Sequence, residues 1–541
     1  MEWNELLAGH AKLTIPPHTR RRVIVDLDNY FCAYPELTVS GGKDALVRIH
    51  WAEGLFEPVQ ADGVMRKGNR DVIEGKCFFG MGETFEPDGG ANRRFEPLWW
   101  EAGRYVEFYV ATAEQPLVID SFRLHELHYP HEFVADFESS DPRLQEIIPI
   151  ALRTLEMCSQ ETYFDCPYYE QLMYVGDTRM EVLVTYATTR DDRLPRKAIE
   201  MFDLSRVQSG LTHSRYPSRI QQVIPPFSLW WVGMLHDFMM WRGDRAFLQG
   251  RAPAMRAILD AWRAGITRDH LVENPIGWNY LDWVPGWNAG MPAENQRGPT
   301  GTFNWQFVAM LKLAAEIEDF LGEPELAARN RRTSGEIATA AAQAFWHEER
   351  GLFSEDLAKK HFSEHAQCLA LISRTLDSRT QQRVEQSLFT DGDLYRTTIY
   401  FSHYLFEACR LSGRMESFFD RLSLWFDLKR MGFKTTVESP EPSRSDCHAW
   451  GAHPVFHYFA SVLGIRPAAP GFSRVRIEPQ LGPLSHARGA MPHPRGTISA
   501  DVRIQDGKMR AQIELPDGLE GVLIIRGAEH PLRGGRQTVE S

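Results

Sequence analysis

Residues 163–178, Tyr-Phe-Asp-Cys-Pro-Tyr-Tyr-Glu-Gln-Leu-Met-Tyr-Val-Gly-Asp-Thr, set three carboxylates, Asp165, Glu170 and Asp177, among five aromatic residues. Pro167 and Gly176 make most of this stretch a predicted loop. Carboxylates accept hydrogen bonds from hydroxyl groups, and aromatic faces cover the apolar side of a pyranose. A carboxylic acid beside an apolar ring also keeps its proton longer. That chemistry is glycoside binding and hydrolysis. A solvated, tyrosine-rich surface loop accounts for the same spacing, and both readings stand at this point.

The elements that must position these residues follow from the pattern along the chain. Residues 1–135 read as β-structure, with β-branched and aromatic runs at Arg22–Leu27 and Arg104–Val110 broken by Ser40-Gly41-Gly42 and Asp88-Gly89-Gly90. A sandwich is expected there. At Ser140-Asp141-Pro142 an N-cap with proline in the first turn opens a helical region. Apolar residues recurring at three and four predict helices over 143–160, 177–190, 194–206, 226–242, 244–265, 303–321, 324–346, 363–374, 377–387, 397–412, 414–428 and 449–464. Pro149 implies a kink or later start in the first of these. Twelve helices in antiparallel pairs are what a six-hairpin (α/α)6 barrel requires. The connections 161–176, 207–225, 266–302, 388–396 and 429–448 are long and rich in Trp, Tyr, Pro, Gly and acids, as functional loops are. After Arg466-Pro467 the β pattern returns and predicts a small closing sandwich. The expected division is 1–135, 136–465 and 466–541.

The chain has 541 residues, too many for one core, with 43% hydrophobic and 24% charged residues and a net charge of −12. That balance argues against nucleic acid or an anionic membrane as a partner. Seven widely spaced cysteines without a CxxC read as reduced thiols. No signal peptide and no apolar run of membrane-spanning length is visible, so a cytoplasmic location is expected. The 19 histidines are scattered without an HExxH, and neither a metal site nor a cofactor is expected. The expected partner is a small-molecule or oligosaccharide substrate.

The 163–178 segment resembles the signature of bacterial α-L-rhamnosidases, glycoside hydrolase family 78, which reads Asp-Cys-Pro, two residues, Glu, and later Gly-Asp. Lys67-Gly68-Asn69-Arg70-Asp71 and Arg94-Phe95-Glu96-Pro97-Leu98-Trp99-Trp100 resemble the family's preceding β-domain. Ser214–Ser218, Pro225–Trp231, Thr436-Val437-Glu438 and Asp446–Trp450 resemble its barrel segments, so the likeness covers nearly the whole chain. Members carry further sequence upstream, which leaves a longer natural start open. The resemblance implies an inverting, exo-acting hydrolase of terminal α-L-rhamnose with Glu170 as general acid and Glu438 as general base, Glu441 being the rival base. It implies sugar contacts from Asp165, Asp177, Asp282, Trp283 and His448, with Tyr169 and Tyr174 standing where the family often has Arg and Trp. Val437 stands where the family has Trp.

Competing roles remain for several of these residues. Asp177 also suits a helix N-cap, and His448 suits a helix cap. Trp230 fits either the barrel core or a sugar platform. Arg215 with Tyr216 would suit a polysaccharide lyase or another six-hairpin enzyme. A non-catalytic carbohydrate-binding protein would explain the aromatics but not the paired Glu170 and Glu438.

Overall fold

The computed structural model describes residues 2–292 and 298–540. The chain divides into a first unit of residues 1–130, 152–171 and 427–449, and a second of residues 131–151, 172–426 and 450–541.

In the first unit the β-rich N-terminal region forms one seven-stranded antiparallel sheet. Leu13–Ile15, Leu117–Glu126, Arg20–Gly41, Glu101–Ala111, Leu46–Ala52 and Met81–Phe85 follow one another across it, and Arg93–Phe95 pairs with Leu37–Val39. The 22-residue strand Arg20–Gly41 serves three partners, Arg93–Phe95 being the shortest. Its first half faces Glu101–Ala111, with a register shift between Asp26 and Phe31, and its second half faces Leu117–Glu126. Alternating residues Val47, Ile49 and Trp51 join Val106, Phe108 and Val110 in one apolar core, as a period of two demands. Arg153 donates to the Tyr30 carbonyl, and the Thr436 amide donates to Thr154 Oγ1 at 2.7 Å. These bonds tie residues 152–171 and 427–449 into the same unit.

In the second unit, helices Val175–Thr188, Pro225–Trp241, Gly301–Leu321, Glu364–Ser373 and Ser402–Leu411 are neighbours in that order. The short helix Pro454–His457 packs on Val175–Thr188, and the π-helical turn Tyr458–Val462 packs on Ser402–Leu411. All 14 residues of Val175–Thr188 are buried, which explains its lack of an amphipathic stripe. Arg193–Leu204, Arg245–Arg263, Pro324–Phe345 and Ser378–Leu388 pack against this row and have polar outer faces. The chain ends in two sheets. Ile465–Pro467, Arg474–Ile477, Glu520–Ile525 and Ala528–Leu532 make one. Gly535–Glu540, Lys508–Leu515, Gly496–Gln505 and His486–His493 make the other, with Asp136–Ser139 as its fifth strand.

Several predicted helices differ in detail. Pro142–Met157 continues through Pro149. The 414–428 helix is two pieces, Met415–Arg421 and Ser423–Arg430. The 449–464 helix is a 3-10 turn, a single α turn and a π turn, broken where Pro454 cannot donate a backbone hydrogen bond. The helix predicted over 397–412 begins at Ser402. Of the long loop 266–302, residues 293–297 lie outside the described residues. Among the described residues no helix is long and apolar enough to cross a membrane.

Candidate active site

Residues 163–174 are loop and turn, as expected, and the helix begins at Val175. Tyr168 packs against the sheet core, and its hydroxyl donates to the Trp51 carbonyl at 3.0 Å. The Gln171 amide donates to the Cys166 carbonyl, closing a turn, and the Gln171 side chain accepts from Trp99 Nε1 at 2.8 Å. Glu170 therefore sits on a loop fixed at both flanks. Glu438 lies on the 427–449 segment, its amide bonded to the Ser445 carbonyl.

One residue joins the two glutamates. Arg444 Nη2 donates to Glu170 Oε1 at 2.7 Å and to Glu438 Oε1 at 3.4 Å, and its Nε donates to Glu438 Oε2 at 3.2 Å. The two carboxylates are thus one guanidinium apart. Glu438 is the more enclosed, with 7% of its side chain exposed against 23% for Glu170. Burial opposes the charge on Arg444, but Glu438 and Glu170 outweigh it and hold the guanidinium above its ordinary value. The Arg444 guanidinium lies 5.3 Å from the Tyr169 ring centroid. Burial first, then the charges of Glu53 and Asp446, push the Tyr169 phenol well up. Glu441 has a different partner, Arg70, at 2.5 Å.

Beneath this pair lies a buried ionic network. Lys67 Nζ donates to Asp446 Oδ1 at 3.0 Å, to Glu53 Oε2 at 3.4 Å and to the Arg444 carbonyl at 2.7 Å. Arg70 donates to both Asp446 oxygens, at 2.8 and 3.0 Å. The Tyr30 hydroxyl donates to Glu53 Oε1 at 2.9 Å. Burial raises Asp446, but Lys67 and Arg70 more than offset it and hold the carboxyl below its usual range. Glu53 is held above its usual range by burial, against the pull of Lys67. Gly54 makes room here, because an added Cβ would stand 3.1 Å from Asp446 Oδ2.

Asp165 and His448 are both buried in this unit. A carboxylate oxygen of Asp165, the Cys166 sulfur and a His448 ring nitrogen lie within 4.8 Å of one another. The His448 amide donates to the Thr436 carbonyl, and the Ala449 amide donates to the Asp165 carbonyl at 2.8 Å.

The second unit holds the other expected residues. Asp177 is the third residue of its helix and Tyr174 is the N-cap position, so the capping role for Asp177 is corrected. Gly176 lies inside the helix rather than in the loop. An added Cβ would meet the Phe227 ring at 2.6 Å and the Tyr400 hydroxyl at 2.8 Å, so the missing side chain admits Tyr400 beside Asp177. Burial, then Tyr404 and Asp177, push the Tyr400 phenol well up. Arg215 Nη1 donates to the Tyr174 hydroxyl at 2.8 Å, and the two residues form a β-bridge.

Asp282 departs from its expected exposure to sugar. It is fully buried, and its oxygens accept from the Thr398 amide at 2.7 Å, the Thr398 hydroxyl at 2.5 Å, the Trp283 amide at 2.9 Å and His365 Nε2 at 2.9 Å. With both oxygens so occupied it fixes its loop. Trp283, half-buried, clusters edge-on with Tyr280 at 5.0 Å. Trp230 is 1% exposed and stacks on Tyr404 at 4.2 Å, which supports the core reading.

The sequence reading did not single out Arg444, the Lys67–Asp446 network, Tyr400 or His365. Arg444 stands six residues after Glu438 in a Pro- and Ser-rich loop, which is a signal only once Glu438 is suspected.

The model of the bacterial α-L-rhamnosidase six-hairpin glycosidase domain matches residues 132–400, and that of the bacterial α-L-rhamnosidase C-terminal domain matches 464–540. No curated protein gives a significant match. Among solved structures, the chain resembles the family 78 rhamnosidase of Bacillus sp. GL1, at 21% identity and a TM-score of 0.82 over 95% of this chain and 54% of that one. It also resembles the Klebsiella oxytoca rhamnosidase solved with rhamnose bound, at 19% identity and a TM-score of 0.69 over 83% and 89% of the two chains. The Streptomyces avermitilis α-L-rhamnosidase complexed with L-rhamnose matches at 16% identity and a TM-score of 0.70, over 98% and 53%. The chain spans about half the length of the Bacillus and Streptomyces proteins. By both domain models, the chain belongs to the bacterial α-L-rhamnosidase family of six-hairpin glycosidases.

Proposed function

We propose that this protein is an inverting, exo-acting glycoside hydrolase that releases terminal α-L-rhamnose, with Glu170 as general acid and Glu438 as general base. The observation that carries the proposal is the placement of both carboxylates on one guanidinium, Arg444. In an inverting enzyme two carboxyl groups stand ~6.5–9.5 Å apart, leaving room for a water, whereas a nucleophile must stand closer. Arg444 Nη2 meets one oxygen of each carboxylate, so those two oxygens stand no more than about 6 Å apart, and inversion rests on the family resemblance and not on this spacing. Water attacks the anomeric carbon as Glu438 takes its proton. The glycosidic C–O bond breaks, and Glu170 gives its proton to the departing oxygen.

Two relatives named for bound rhamnose support the choice of sugar. The sugar-contact roles of Asp165, Tyr169 and His448, and of Asp177, Tyr174, Arg215 and Trp283, belong to this proposal. So do the (α/α)6 barrel, which the helix order of the second unit supports, its flanking sandwiches, and the boundaries at 135 and 465. The test is hydrolysis of p-nitrophenyl α-L-rhamnoside against a panel of other glycosides, with proton NMR of the first-formed sugar. Release from the rhamnoside with the opposite anomer appearing first is expected. Release from another glycoside alone overturns the sugar, and the retained anomer appearing first overturns Glu438 as a base.

A further inference from the structure

Three histidines meet in the second unit, on helices with no part in the proposed hydrolysis. His453 and His457 are four residues apart on continuous right-handed helical backbone, so both project from one face. His403 faces them from Ser402–Leu411. One ring nitrogen from each lies within 4.8 Å of the others, and all three residues are buried.

The remaining contacts fix which nitrogens point inward. His453 Nε2 is 3.0 Å from the Ile399 carbonyl, which can only accept, so that nitrogen carries the proton. His453 Nδ1 is then a lone-pair nitrogen, and it is buried without a hydrogen-bond partner. His457 Nδ1 is 2.9 Å from Ser461 Oγ, leaving His457 Nε2 to face His403 Nδ1 at 3.0 Å. His453 is held as metal-binding histidines are, with the outer nitrogen bonded to a carbonyl and the inner one free to coordinate.

We propose that His403, His453 and His457 form a binding site for a divalent metal ion of the zinc type, separate from the glycosidase residues. Zinc–nitrogen bonds of ~2.0–2.1 Å place tetrahedral ligands about 3.3 Å apart. The His403–His457 pair already meets that spacing, and His453 closes the remainder by a small rotation. On metal entry the proton shared between His403 Nδ1 and His457 Nε2 moves to the outer nitrogen of the ring that carries it, so no proton is released. The fourth position falls to a water. His403 lines a cavity of about 960 Å³ that also reaches Glu407 and Phe456 and can supply it. Glu407 is the nearest anion, 3.9 Å from His457 Nδ1, and it is bonded to Arg466 and Arg410. Imidazole donors without thiolate or a carboxylate cage suit zinc, copper or nickel rather than calcium or magnesium.

The test uses the full chain after dialysis against a chelator. Zinc chloride is titrated against a chromophoric competitor, and Co2+ is added in parallel as a spectroscopic probe. One equivalent bound at micromolar or lower Kd is expected, with the visible bands of tetrahedral Co2+ and no thiolate charge-transfer band. His453→Ala and the more conservative His457→Gln should each weaken zinc at least 100-fold. Should either variant fail to fold, the wild-type protein decides by itself, since stoichiometric zinc should raise its thermal midpoint. No binding at 100-fold excess zinc overturns the proposal. So does binding that survives both substitutions, or a thiolate band placing the ion on Cys166.

Discussion

Lys67→Met tests whether the buried ionic network under Arg444 holds the 427–449 segment in place. The Lys67 side chain is 2% exposed and bonds two carboxylates and the Arg444 carbonyl. Methionine keeps the aliphatic stem and removes the cation, leaving Arg70 alone against Glu53 and Asp446. Breaking a buried charge pair from one side costs ~3–5 kcal/mol. For a unit of this size, at roughly 2–4 °C per kcal/mol, the midpoint should fall by about 10 °C. The pH dependence has a definite sign. Glu53 is already held above its unfolded value by burial, and losing Lys67 raises it further. A group with a raised folded pKa adds stability as pH falls toward its unfolded value, so the deficit should shrink between pH 7 and about pH 5. Adding Glu53→Gln should recover part of the loss, with a coupling of ~1–3 kcal/mol. Scanning calorimetry of wild type, both single variants and the double variant gives the answer. A drop under about 2 °C, strictly additive variants, or a deficit that grows on acidification refutes the reasoning.

Glu170→Gln should cost about 10²–10⁴-fold in kcat on glycosides with poor leaving groups and far less on an activated aryl rhamnoside, since protonation matters least there. Equal losses on both substrates count against Glu170 as the acid. Glu438→Gln should be nearly inactive on every substrate because water activation does not depend on the leaving group, and steady-state kinetics with two leaving groups checks this. Arg444→Lys keeps the charge but cannot fork between two carboxylates, so kcat/KM should fall about 10–100-fold with little change in thermal midpoint. Asp282→Asn replaces a fully bonded buried carboxylate and should cost ~1.5–3 kcal/mol of stability with KM little altered; a large KM effect at unchanged stability would return Asp282 to the sugar site.

Long amphipathic helices were the most legible part of the chain. Arg245–Arg263 and Pro324–Phe345 lie within two residues of the periodicity reading because one face of each meets the core and the other meets water. Val175–Thr188 shows the limit, since a helix buried on every side has no polar face to mark its ends, and the reading of 177–190 sets it two residues late at both ends. The 449–464 stretch read as one helix because its apolar residues recur at helical spacing, while Pro454 and close packing turn it into three geometries. The acid and base candidates were legible because their motifs are local. Arg444 was not, for its meaning lies in its bonds to residues 274 and 6 positions away. Asp282 misled the reading because an acid among tryptophans looks alike whether it faces a ligand or four donors of its own fold.

Strand Asp136–Ser139 has a consequence for how the protein is made. It completes a sheet whose other strands begin at His486, and Ser140 bonds to Ser485 across 345 positions. A ribosome adding ~5–20 residues per second needs roughly 20–70 s to cover that interval. Throughout that time residues 136–139 have emerged and their pairing partner does not exist. Their unpaired backbone edge is the kind of surface that nascent chains expose to one another. Ribosome stalling or premature termination anywhere before His486 therefore leaves the same sticky strand at the head of the helical region, so yield of usable protein should depend on translation reaching the last sheet promptly.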